Sequence, residues 1–519
     1  MKVLFEAVND FFGSIVGFSD LLWDFPKNFE WYANIPVLGQ IPFAIFLLIG
    51  MGIYFTIKTK GVQFRFFKHG LRALLDKKNG DVGVSQLASF MLSTAERVGP
   101  GNIMGVTGAI SIGGPGAVFW MWVAALFGMA SSFIEATLAQ IFKERDGKEY
   151  VGGLPFYAQK IFGNKRWLGI AISISFILYA LLCVPIQTFH VFTASGSAAS
   201  LIAGITVDRE SVLYYVIAVI LIIGIAVTIF GGIKRVTNVT DKMVPVMAVV
   251  YGVIILLLLL INIGEFPKFI ASIIGGAFKP QALFGGTFGV ALAQGVKRGL
   301  LSNEAGQGTV TPAAAITECD HPCSQGFVQS LGVFLDTIVI CTCTAFVVCS
   351  ARLWDTAPDT FEAIRSSKID LYLESLTALV PGTMLDNLVS IIICLCYALF
   401  AFTSLLGLIS FAVVISANIS KNKKFTIAIR ALGALVFVPI GTLCVLAGME
   451  LDNIWYASDL FNIALVFINA PAILVGGKYA FLALKDYADH NGRRFVSSEI
   501  GIESDIWTLE AREATEKQQ

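Results

Sequence analysis

The chain has 519 residues, of which 56% are hydrophobic and only 14% charged, and its 37 basic and 37 acidic residues cancel. A soluble domain of ordinary composition carries about 25% charged residues, so this balance excludes one. A net charge of zero offers no field to draw in nucleic acid. Apolar runs recur along nearly the whole length.

Residues 1–35 read as an extracytoplasmic N-terminal segment, without the basic start and short apolar core of a signal peptide. An extra first span is expected over 36–57. A cytoplasmic amphipathic linker, 58–84, follows. Within it, "VQFRFFKHGLRALL" (62–75) sets Phe64, Phe67, Leu71 and Leu74 near one helical face among basic residues, as in a helix lying in the inner interface. Residues 85–263 form a first five-helix repeat, with spans near 85–112, 117–142, 168–203, 212–232 and 241–263. Residues 264–485 form a second, with spans near 283–300, 326–350, 384–416, 424–448 and 456–482. Residues 486–519 read as a polar, solvated cytoplasmic tail.

A helical span needs roughly 20 mostly apolar residues, and only helices or closed barrels satisfy every backbone group in lipid. These runs are too uniformly apolar for alternating barrel strands. The fold class is therefore an all-α polytopic membrane protein of about eleven transmembrane helices. Lys60, Arg65, Lys68, Arg72, Lys77 and Lys78 crowd the first connecting loop, whereas Asp20, Asp24, Glu30, Asp355, Asp359 and Glu362 mark the opposite side. Positive charge stays inside, which puts the N-terminus outside and the C-terminus in the cytoplasm.

"STAERVGPGN" (93–102) interrupts the second span. Pro100 costs a helix interior about 3 kcal/mol and each of Gly99 and Gly101 about 1. The helix is expected to unwind near Val98–Asn102, where freed carbonyls suit a cation and freed amides a carboxylate. "FGGTFG" (284–289) supplies a second interruption. With the extra span set aside, the two broken spans are the first and sixth of ten, the arrangement of two five-helix repeats packed in opposite orientation. A glycine cluster by itself also serves as a kink or a close helix contact.

Charges inside spans are costly and face the protein interior. Glu135 and Asp336 read as structural partners in helix packing. Arg97 is expected to reach the inner end or to pair with an acid. Glu96 adjoins the presumed cation site, where it would add a ligand or carry a proton in place of sodium; a plainer alternative is a pair with a basic residue. "SNEAGQG" (302–308) reads as an inner-gate structural motif, with Ser302–Glu304 capping the next short helix and Lys297 or Arg298 as gating contacts. Most cysteines read as small buried hydrophobes. Cys319, His321 and Cys323 have the spacing of zinc ligands but lack a fourth. No Walker-type sequence appears, no ring of polar residues suggests a channel, and His190 has no catalytic partner nearby in sequence. A secondary transporter remains.

"RVGPGNIMGV", "GGPGAVFWMW" (113–122), "GMASSFIEATLAQIF" (128–142) and "RGLLSNEAGQG" (298–308) resemble signatures of the alanine or glycine:cation symporter family. The resemblance runs from about residue 36 to 485. It implies a leucine-transporter-like 5+5 inverted repeat and a sodium:amino-acid symporter. Sodium would then be held at Ala95, Val98, Phe400, Thr403 and Ser404. Substrate would be bound by the amides of Gly99 and Gly101 and the Asn102 side chain on its carboxylate. Gln187, Gly285, Gly286, Thr287, Ser404 and Leu408 would complete that site.

The chain departs from the family pattern at Pro100, which removes a hydroxyl, at Leu408, which removes an aromatic wall, and at Glu96, where a small residue is usual. The expected function is sodium-coupled symport of a small neutral amino acid by alternating access. The substrate would be alanine, glycine or a somewhat larger one such as glutamine. The alternatives are proton coupling through Glu96 and a non-transporting membrane protein of the same fold. Sodium would be the coupling ion with no organic cofactor, and no enzyme activity is implied. The lipid bilayer of the plasma (inner) membrane would be the setting, with the chain a monomer or weak oligomer and no nucleic acid bound.

Overall fold

The computed structural model describes residues 13, 17–35, 39, 41–76, 82–204, 211–278, 287–355, 369–446, 452–490, 492–504 and 506–510. The principal helices are α1 (Phe43–Lys58), α2 (Gln86–Arg97), α3 (Val106–Gly113), α4 (Gly116–Ile141), α5 (Arg166–Ala203), α6 (Val212–Phe230) and α7 (Ile233–Ile261). They are followed by α8 (Thr287–Asn303), α9 (Pro322–Ala351), α10 (Thr383–Ile419), α11 (Lys423–Leu446) and α12 (Asp452–Asp489). Among the described residues, eight helices are long and apolar enough to cross a membrane: α4–α7 and α9–α12. α1, α2–α3 and α8 fall outside that set because each continuous helix is short or interrupted.

Helix starts follow from local chemistry. Ser85 accepts the Ala88 amide at 3.1 Å and caps α2. α6 and α7 turn Val216, Val219, Ile220, Ile223, Val249, Val253, Leu256 and Leu260 outward, as helices do when their outer face meets hydrocarbon rather than water. α7 begins at Ile233, earlier than the apolar run at 241, because Lys234 and Arg235 occupy a polar extension of the same helix.

Two expectations, the single linker helix and the solvated tail, are corrected, and short elements join them. The linker at 62–75 is two short helices, Val62–Arg65 and Phe67–Ala73, broken at Phe66. Phe66 turns inward and stacks on Phe327 at 4.9 Å, while Phe64 and Leu71 point out. A two-stranded antiparallel hairpin, β1 (Glu144–Asp146) with β2 (Glu149–Val151), follows α4, and an apolar helix Phe266–Phe278 precedes α8. The tail is no solvated appendage: Phe495 and Trp507 are buried, and the Trp507 indole N–H donates to Gln140 O at 2.8 Å. His321 is engaged by Asp486 at 3.2 Å and by the Cys323 amide at 3.1 Å. No group of three or more His, Cys, Asp or Glu placed to hold a metal occurs among the described residues.

Candidate functional site

The break in the second span is real. Winding stops over Val98–Pro100, with Val98 at φ −79°, ψ 85°, and resumes through a wide turn at Gly101–Gly105 that leads into α3. Pro100 has no N–H to donate, and its ring bars the preceding turn from continuing.

The freed groups find partners in the protein. The Gly99 amide donates to Asn102 Oδ1 at 2.8 Å. Asn102 Nδ2 donates to Asp336 Oδ1 at 2.6 Å. Asp336 also accepts Ser302 Oγ at 3.0 Å and Thr337 Oγ1 at 2.8 Å. One carboxylate on a wide turn of α9 (Phe334–Cys341) thus joins the break to the end of α8.

Hydroxyl and carbonyl oxygens gather where α2 crosses α10. Ser404 Oγ donates to Ala95 O at 2.9 Å and Phe400 O at 3.1 Å. Thr403 Oγ1 donates to Phe400 O at 3.0 Å and faces Met247 Sδ at 3.7 Å. Hydroxyls in apolar helices commonly bond back to their own turn. Ser404 does more, since it spans two helices. A Cβ on Gly99 would stand 3.0 Å from Ser404 Oγ, so glycine permits this approach. Hydroxyl and carbonyl oxygens are the groups that a hard cation takes as ligands. Val98 is fully buried at the same break.

Beside this crossing lies a cavity of about 180 Å³. Of the residues expected at the site, Glu96, Gly99, Gly101 and Gln187 line it. Asn102 does not: it is fully buried and turned to Asp336, because a short amide side chain there closes onto the amide three residues back. Leu408 does not either; it packs in the apolar core. Ser404 is also outside the lining, at the cation-type cluster. Gly285 and Gly286 lie outside the described residues. Thr287 begins α8, and its side chain is outside them as well.

Several lining residues escaped the sequence reading. Glu304 accepts Tyr179 Oη at 3.2 Å and Thr309 Oγ1 at 2.8 Å. It stands at φ +56°, a left-handed position that ends α8. The motif around it is therefore part of the cavity wall and not only a gate. The next short helix, Thr311–Ala315, has no side-chain cap. Its supposed cap, Ser302, is spent on Asp336. His190 contacts Tyr397 Oη at 2.9 Å and meets Trp455 edge-on at 5.7 Å, giving the cavity an aromatic flank. Only the crossing of distant helices assembles these groups.

The buried charges are held by geometry. Glu135 accepts the amides of Gly306 at 3.2 Å and Gly308 at 2.9 Å, and Asn469 Nδ2. Arg97 neither reaches the surface nor forms an ion pair among the described residues. Nε donates to Asn303 O at 3.0 Å, Nη1 to Gln329 Oε1 at 2.8 Å and Nη2 to Ser132 Oγ at 3.2 Å. Lys297 lies over the Trp23 ring at 4.9 Å, and Arg298 lines the cavity.

With this geometry in hand, comparison with known proteins is direct. The sodium:alanine symporter family matches residues 29–498. The amino-acid carrier protein AlsT of Bacillus subtilis (strain 168) is 37% identical over 474 residues, which cover 91% of this chain and 92% of that protein. The probable sodium/glutamine symporter GlnT of the same organism is 36% identical over 446 residues, covering 85% and 87%. The crystal structure of MhsT in complex with L-phenylalanine aligns over 78% of this chain and 100% of that one, at 14% identity and a TM-score of 0.46. A match over this much of the chain leaves one conclusion: the protein belongs to the sodium:alanine symporter family, and is a multi-pass membrane transporter rather than an enzyme.

Proposed function

We propose that the chain couples sodium entry to the transport of a small neutral amino acid. Alanine, glycine and glutamine are the candidate substrates. The observation that carries this reading is the Ser404 hydroxyl bridging Ala95 O and Phe400 O beside the break at Val98–Pro100. Sodium would draw its ligands from Ala95, Val98, Phe400, Thr403 and Ser404. The substrate would occupy the adjoining cavity against Gly99, Gly101 and Gln187, with Gly285, Gly286 and Thr287 approaching from the second interruption. Asn102 enters as the residue that positions the Gly99 amide through Asp336, and not as a carboxylate ligand.

Ion and substrate act on one broken segment. An ion that fixes the break pre-organises the amides for a carboxylate, and each ligand then tightens the other reciprocally. Alternating access would follow from rearrangement around this segment. The distribution of Lys and Arg supports placement in the plasma (inner) membrane with the N-terminus outside and the C-terminus in the cytoplasm. The chain would act as a monomer or weak oligomer.

Uptake of radiolabelled alanine, glycine and glutamine into proteoliposomes tests the reading. An imposed sodium gradient should drive accumulation at constant pH. Replacing sodium by choline should abolish it. Uptake that persists in choline would overturn sodium coupling in favour of proton coupling through Glu96.

A further inference from the structure

Three residues that line the cavity each carry a buried side-chain oxygen that meets no donor among the described residues. Glu96 Oε2 is buried and meets no donor among the described residues, in a side chain only 9% exposed. Gln187 Oε1 and Asn462 Oδ1 are buried and undonated in the same way. All three residues line the one cavity, and they come from α2, α5 and α12. Asn462 spends its amide nitrogen on Gln307 Oε1 at 3.0 Å, which leaves its oxygen as the unmet group. Glu96 has room because position 407 lacks a side chain: a Cβ on Gly407 would lie 2.7 Å from Glu96 Oε2.

A buried acceptor left unpaired costs about 1–3 kcal/mol, and more when it is charged. Three such groups around one cavity call for an occupant rich in donors. We infer that this wall selects amino acids whose side chains end in N–H or O–H donors, a carboxamide or a hydroxyl, and that Glu96 is the specificity-determining residue. The inference rests on the proposed amino-acid transport through this cavity. The α-ammonium and α-carboxylate are common to every amino acid, so discrimination falls to the side chain. A carboxamide or hydroxyl gives the acceptors their missing partners. An apolar side chain of equal length buries them unmet. Sites built to bond a substrate N–H or O–H reject analogues lacking it by as much as ~10⁴-fold.

The test is initial-rate uptake by the full chain in proteoliposomes under a sodium gradient, comparing glutamine with methionine and serine with 2-aminobutyrate. The wild-type kcat/KM should favour the donor-bearing member of each pair by at least about tenfold. Glu96→Ala should shrink that ratio at least fivefold, because glutamine loses more than methionine. Gln187→Met and Asn462→Ala should shift it in the same direction, and they keep the test open if Glu96→Ala fails to fold. Equal use of methionine and glutamine by the wild type would overturn the inference while leaving sodium-driven transport intact. So would a Glu96→Ala variant that slows every substrate by one factor, since that outcome assigns the carboxylate to the shared ammonium or to the ion. Absence of any sodium-driven amino-acid uptake would instead remove the transport reading itself, and this inference with it.

Discussion

Asn102 and Asp336, 234 residues apart in the chain, meet in the interior at 2.6 Å, the amide nitrogen donating to the carboxylate. The same Asn102 accepts the Gly99 amide, so one side chain holds both the break and the acid. A hydrogen bond to a charged acceptor is worth about 1.5–3 kcal/mol. Asn102→Ala should therefore lower the thermal midpoint in detergent together with uptake. A variant of unchanged stability with weakened substrate affinity would instead make Asn102 a direct ligand.

Ser404 joins two helices, whereas Thr403 bonds within its own helix and faces a methionine sulfur. Ser404→Ala should raise the sodium concentration for half-maximal uptake by about tenfold, equivalent to about 1.4 kcal/mol. Thr403→Val should raise it less. Sodium titration of uptake at fixed pH reads both. Half-saturation unchanged in both variants would take these hydroxyls out of the cation site.

A methyl group at Gly407 would press on Glu96 Oε2 at 2.7 Å. Gly407→Ala should therefore impair uptake and stability by displacing the carboxylate. Glu96→Ala in the same chain should restore much of the stability, a coupling that double-mutant analysis isolates. Additive losses would show that Gly407 serves some other contact.

Trp507 is 1% exposed, and Lys143 Nζ lies 4.9 Å from its ring. Truncating a buried tryptophan costs about 3–5 kcal/mol. Trp507→Ala should release the tail to limited proteolysis after α12 and leave sodium-driven uptake in place. Burial pushes the Lys143 amine from 10.5 down to about 8. The Trp507 ring supplies part of that burial, so the docked state binds fewer protons than the released one, and raising the pH above about 8 should strengthen docking. Protease resistance that falls with rising pH would refute the sign.

The spans were legible because lipid demands long apolar runs, and the first break because proline and glycine act locally on their own backbone. The partners of that break were not. Asp336 reaches Asn102, and Tyr179 reaches Glu304, only once separate helices cross. Leu408 packs in the core and not on the cavity, because which neighbour a helix face meets is settled only when the helices cross. The docked tail hid because Phe495, Ile502 and Trp507 are isolated apolar residues in a polar stretch, with no period to announce a buried face.

Arg97 ties the last turn of α2 to the terminal carbonyl of α8, and its remaining nitrogens reach α4 and α9. These four helices are yoked at one guanidinium. A swing of α2 would drag α8 with it, since letting go would strand a buried charge. Any flexure of the broken span would then fall past the yoke, in the Gly101–Gly105 turn, whose glycines resist bending least.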